Sequence, residues 1–189
     1  MTDEQRSKAK VYIFYDKDFS KQTMKMYNNL IKQYGKGSVA LSMVSTASSF
    51  AKDWGNMNSK DIKTVDLNVH GSNQQLHLNY ETKEYLTSTG IGKTSIMGNP
   101  ATNIKDLPQP EGDISKAQLN INSCHSNDKN DSDMPLKGDK KTVAESFQES
   151  FDFKNVRSTS GAVNYNSSGE PTTQWYYLDF WQNSEDKNK

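Results

Sequence analysis

From Lys10 to Ser72 the chain alternates apolar runs with helical patterns, an order that restricts it to a parallel sheet covered by helices. Lys10-Val11-Tyr12-Ile13-Phe14-Tyr15-Asp16 is apolar on both faces, as a strand in the middle of a parallel sheet must be. Met24, Tyr27, Leu30, Ile31 and Tyr34 follow at helical spacing, with Asp18 or Ser20 able to cap the helix and Gly35 to stop it. Ser38 to Ser45 reads as a second strand. Phe50, Trp54 and Met57 mark one side of a short helix, and Thr64 to Ser72 is a third strand.

The pattern then loosens. Gln74 to Asn79 alternates as a hairpin arm would, and residues 80–115, with prolines at 100, 108 and 110, read as a long loop or insertion. Ala117 to Ser126 is a further strand, followed by a polar loop from Asn127 to Lys141. Thr142 and Glu145 form a capping box for a helix whose apolar face is Val143, Phe147 and Phe151. Arg157 to Tyr165, a turn at Asn166 to Gly169, and the aromatic run Thr172 to Trp181 (Trp175, Tyr176, Tyr177, Phe180, Trp181) read as a C-terminal β-hairpin. Residues 1–8 and 183–189 are expected as disordered tails on a single α/β domain spanning 1–189.

Composition narrows the function. The 23 basic and 23 acidic residues leave no basic excess to displace counterions, so a nucleic-acid partner is not expected. A single cysteine excludes an internal disulfide framework and a cysteine-based zinc cluster. No apolar stretch approaches the length of a membrane span, and Met1 to Lys8 lacks the apolar region of a signal peptide. Export would then depend on a larger parent protein or a dedicated delivery system.

The chemistry-bearing residues stand at two strand ends. His70 closes Thr64-Val65-Asp66-Leu67-Asn68-Val69-His70-Gly71-Ser72, and Cys124 closes Ala117-Gln118-Leu119-Asn120-Ile121-Asn122-Ser123-Cys124-His125-Ser126. Alternation puts Asp66, Asn68 and His70 on one face and Asn120, Asn122 and Cys124 on the matching one, provided the strands are neighbours. Asn68 would then bond to Asn120 across the strands. Such a pair supplies a thiol nucleophile and an imidazole base, and the N–H groups of Gly71 and Cys124 would serve as oxyanion donors. Ser72, Ser123, Ser126 and Asp128 would form the substrate rim. Gly90 to Ser95 ends like a phosphate-binding loop but lacks its first glycine, which position Thr87 occupies. No metal site is expected, because the adjacent Cys124 and His125 would point to opposite faces of a strand, and no cofactor is implied.

His-Gly-Ser after one strand and Ser-Cys-His-Ser after the next resemble the His-Gly and Cys signatures of clan CD peptidases, whose catalytic residues lie about 50 residues apart. A fuller likeness, over roughly residues 10–165, is to C-terminal domains of Rhs-repeat and wall-associated-protein bacterial toxins. It rests on Tyr12-Ile13-Phe14-Tyr15-Asp16, Tyr34-Gly35-Lys36-Gly37, Asp53-Trp54-Gly55 and His70-Gly71, in that order. The resemblance implies a caspase-like three-layer sandwich, a catalytic His70–Cys124 dyad and a protein or peptide substrate. It also implies a role as toxin effector or self-processing module, with an immunity protein as partner. Caspases carry Gln-Ala-Cys-Arg-Gly at the nucleophile where this chain has Asn122-Ser123-Cys124-His125-Ser126, so the caspase preference for aspartate does not carry over. The rival readings are an inactive caspase-like binding module and a toxin acting on nucleic acid.

Overall fold

The computed structural model describes residues 2–173 and 181–183, and in it the alternation of the first half becomes a six-stranded mixed sheet. In chain order the elements are α1 (Asp3–Lys8), β1 (Val11–Tyr15), α2 (Ser20–Tyr34), β2 (Val39–Met43), α3 (Ala47–Gly55) and β3 (Thr64–Asn68). Next come β4 (His70–Gly71), β5 (Gln75–Asn79), β6 (Glu84–Thr87), β7 (Thr102–Asn103) and β8 (Gln118–Ile121). The last are α4 (Val143–Ser150), β9 (Asn155–Thr159), β10 (Val163–Tyr165), β11 (Pro171–Thr173) and β12 (Trp181–Asn183). The main sheet runs β2-β1-β3-β8-β9-β12; the first five are mutually parallel and β12 joins antiparallel to β9. The protein is thus an α/β fold with a mostly parallel central sheet.

Strand alternation sends β1 to two different cores. Val11 and Ile13 pack with Val39 against Met26, Tyr27, Leu30, Ile31 and Tyr34 of α2. Tyr12 and Phe14 face the larger core with α3, α4, Val65, Leu67, Leu119 and Ile121. Trp54, fully buried, sits at the centre of that second core with its ring 5.1–5.9 Å from those of Phe14, Phe50, Phe147, Phe151 and Phe153. The capping box at Thr142 and Glu145 forms as its spacing predicts, and Val143, Phe147 and Phe151 are buried.

Several local expectations change. Met24 is 42% exposed and Met26 takes its place on the buried stripe, because the row that packs on β1 and β2 runs through Thr23, Met26, Tyr27, Leu30, Ile31 and Tyr34. The stretch 1–8, expected as a tail, contains α1, held by a Thr2–Gln5 capping box. The 80–115 stretch contributes β6 and β7 to a small sheet of order β4-β5-β6-β7. The strand expected from Arg157 to Tyr165 breaks at Ser160-Gly161 into β9 and β10, so the hairpin partner of β11 is β10, while β12 returns to the main sheet. Trp175, Tyr176, Tyr177 and Phe180, with 184–189 of the tail, lie outside the described residues.

Candidate active site

The strands bearing the two chemical groups are neighbours. β3 and β8 pair in parallel with Val65 opposite Leu119, Asp66 opposite Asn120 and Leu67 opposite Ile121. The offset between paired positions equals the offset from His70 to Cys124, so the chain leaves both strands toward these residues at the same level of the sheet. Beneath them the polar face is buried and bonded across the strands. Asn120 Nδ2 donates to Asp66 Oδ1 at 2.9 Å, and Asn122 Nδ2 to Asn68 Oδ1 at 2.7 Å and Asp66 Oδ1 at 3.4 Å. The expected Asn68–Asn120 pair is therefore replaced by a ladder one rung different, since parallel register sets Asn120 against Asp66. Burial pushes the Asp66 carboxyl up to about 6, against the opposing donation from Asn120, Asn122 and Thr64 and the charge of Arg157.

His70 opens β4, directly opposite His77 of β5. Its ring meets Phe19 (centroids 4.7 Å apart) and Tyr80 (5.0 Å), and its Nε2 lies 3.4 Å from Asp18 Oδ2. Asp18 therefore does not cap α2; the side chain of Asp16 accepts from the Asp18 N–H instead. Burial, with Cys124 as the next contributor, raises the Tyr80 hydroxyl above its ordinary pKa. The same two influences, with Asp66 between them in weight, raise Tyr165.

Cys124 is half-buried and its Sγ accepts from the backbone N–H of Val163 at 3.4 Å. Val163 reaches it because the β10–β11 hairpin is docked on α2, where Lys25 Nζ donates to Ser167 O (3.0 Å) and Asn29 Nδ2 to Ser168 O (3.2 Å). Tyr165 of the same hairpin packs on Phe19 and donates to Asn122 O at 3.5 Å. A polar cleft of about 470 Å³ opens beside these residues, between Phe19, Gln22 and Lys25 on one side and Val163 and Tyr165 on the other.

Gly71 has a structural requirement of its own. A Cβ there would stand 2.3 Å from Ser123 Oγ and 2.8 Å from Gln75 O, so the loops after β3 and β8 interlock through the missing side chain. Ser72 N–H donates to Gln75 O at 2.8 Å across the hairpin, and hydrogen-bonded and non-bonded pairs alternate in an antiparallel ladder. The Gly71–Leu76 pair is thus a non-bonded one, and the Gly71 N–H points away from β5. The Gly71 N–H is therefore not engaged by that strand.

The rim is built differently from expectation. Ser72, Ser123 and Ser126 are 5%, 1% and 0% exposed, sealed by the interlocked loops and by α4, whose Ala144 N–H reaches Ser126 O. They lie under the site and cannot edge a substrate groove. Asp128 turns toward His125, whose Nδ1 is 3.2 Å from Asp128 and 3.4 Å from Asp131 in a left-handed turn (φ 55°). His125, Asp128 and Asp131 are close enough to share one cation, but their carboxylates already serve the ring and the loop N–H groups of Asn130 and Asp133. His77, on β5, is buried. Gln75 Oε1 accepts from Ile96 N–H, so its amide nitrogen donates to His77 Nε2 at 2.8 Å and fixes the hydrogen on Nδ1. Burial, aided by His70, lowers the pKa of His77 to about 4, which keeps it neutral near pH 7.

No protein-family model, curated protein or solved structure matches this chain. Asp18, Phe19, Val163 and Tyr165 are the residues that sequence reading missed. Only Asp18, an acid just beyond a buried central strand, carried a signal, and helix capping was its nearer explanation. No helix among the described residues is long and apolar enough to cross a membrane.

Proposed function

We propose that this chain is a cysteine peptidase of caspase-like fold, with Cys124 as nucleophile and His70 as general base. The observation that carries the reading is the parallel β3–β8 register, whose offset equals that between His70 and Cys124. In the reaction, His70 takes the proton of the Cys124 thiol and Sγ attacks the substrate carbonyl carbon. The oxyanion is met by the N–H groups of Gly71 and Cys124. His70 returns the proton to the leaving amine as the C–N bond breaks, leaving a thioester on Cys124. Water, deprotonated by His70, then attacks the thioester and frees a carboxylic acid.

The Val163 N–H at Sγ supports this assignment, because a backbone donor holds the sulfur in a fixed position beside β10. The strand order, with a reactive group after the third and fourth parallel strands from the β2 edge, supports the caspase-like reading, while the role of toxin effector or self-processing module rests on the sequence resemblance alone. Incubation with an unfolded protein mixture, followed by mass-spectrometric mapping of new chain termini, tests it. Cleavage by the wild type should vanish in Cys124→Ala and His70→Ala. An unchanged set of termini in Cys124→Ala refutes the mechanism, as does RNA or DNA degradation that survives that substitution.

A further inference from the structure

His70 is held from the β1 side as well as from its own hairpin. Asp16 N–H donates to Asn68 O at 3.1 Å, which ties the end of β1 to the end of β3 just before His70. The Asp16 side chain then accepts from the Asp18 N–H at 2.9 Å and fixes the 3-10 turn Lys17–Phe19. That turn lays Phe19 on one side of the imidazole and brings Asp18 Oδ2 to its Nε2, while Tyr80 meets the ring edge-on. Lys17, in the same turn, is paired with Glu81 at 2.7 Å and has Asp18 and Asp16 as weaker electrostatic neighbours.

We propose that Asp18 is a positioning residue for the dyad: it holds the His70 ring by Nε2, leaves Nδ1 to face the thiol, and stabilises the imidazolium that forms. The inference rests on the peptidase reading above. When the thiol proton moves from Sγ to Nδ1, the products are a thiolate and an imidazolium whose Nε2–H points at the Asp18 carboxylate. One negative charge on the far side of the ring favours that ion pair over the neutral pair. The 3.4 Å separation is what an unliganded site allows, since such contacts tighten as the reaction proceeds. The other titratable groups packed around His70 are Tyr80, the neutral His77 opposite it, Asp16 at the head of the turn, and the Lys17–Glu81 pair. Among the described residues, only Asp18 offers a carboxylate to a His70 ring nitrogen.

Because Cys124 is the only thiol, its rate of alkylation by iodoacetamide reads the ion pair directly. At about pH 6, where a free thiol of ordinary pKa is almost unreactive, Asp18→Asn should slow alkylation by about fivefold, the most an exposed pair of this kind supports. At about pH 9.5, where the thiolate forms without help, the two rates should coincide. Asp18→Glu should restore most of the rate at the lower pH. Equal rates at both pH values for wild type and Asp18→Asn overturn the inference, and so does equal slowing at both, which marks general loosening. His70→Ala separates the role of Asp18 from that of the dyad itself. If it removes the low-pH reactivity while Asp18→Asn does not, only the role of Asp18 falls; if it leaves that reactivity intact, the dyad falls too.

Discussion

Asp66 gives the fold a pH dependence that can be worked out in advance. Its carboxyl is fully buried between β1 and β8 and receives two asparagine amides, yet burial outweighs them and moves it from 3.8 up to about 6. The native state therefore keeps a proton on Asp66 that the unfolded chain has already lost between about pH 4 and 6. A raised carboxyl of this kind costs nothing below the unfolded pKa. The cost grows as pH rises and is complete above about 6, at ~3 kcal/mol. About 2 kcal/mol of that should develop between roughly pH 4.5 and 7.5. Asp66→Asn keeps an acceptor for Asn120 and Asn122 and removes the titration. Urea denaturation of both proteins at the two pH values gives the comparison. Any constant cost of the new amide cancels when each protein is compared with itself. Wild type should lose ~2 kcal/mol more than Asp66→Asn on going to the higher pH. Identical pH dependences would refute the reasoning, because the buried carboxyl would then titrate as it does in the unfolded chain.

Three other substitutions probe separate layers. Trp54→Ala, which empties the centre of five phenylalanine rings, should lower stability by about 3–5 kcal/mol in the same denaturation assay. Gly71→Ala must displace Ser123 Oγ and the Gln75 carbonyl, so it should cost about 1–3 kcal/mol and also depress peptide cleavage, measured by terminus mapping. Thr142→Ala removes the capping hydroxyl of α4 and should cost about 1 kcal/mol by thermal denaturation, with Cys124 alkylation unchanged.

The first half of the fold is legible because its signals are local. A doubly apolar strand such as Val11–Tyr15 has few alternatives to the middle of a parallel sheet, and the stripe through Tyr27, Leu30 and Ile31 has few alternatives to a covering helix. Parity also places the polar face of β3 beside that of β8, but parity repeats every second position and does not fix register, so it matches Asn120 with Asn68 as readily as with Asp66. The surroundings of Cys124 are hidden for a different reason. Val163 and Tyr165 reach it only through the docking of Ser167 and Ser168 on Lys25 and Asn29, contacts between positions 142 and 139 residues apart. The serines near the site read as a rim because serine usually faces solvent. Tight passage of Ser123 over Gly71 buries them instead, and nothing in their local sequence announces it.

The central claim is that Cys124 forms a covalent acyl intermediate assisted by His70. Mixing the protein with a library of activated peptide esters, quenching in acid within the first turnover and measuring intact mass tests it most directly. The account predicts an acyl adduct on the wild type, mapped by fragmentation to Cys124, and none on Cys124→Ala or His70→Ala. An adduct on another residue, or turnover with no adduct and no dependence on Cys124, would contradict it.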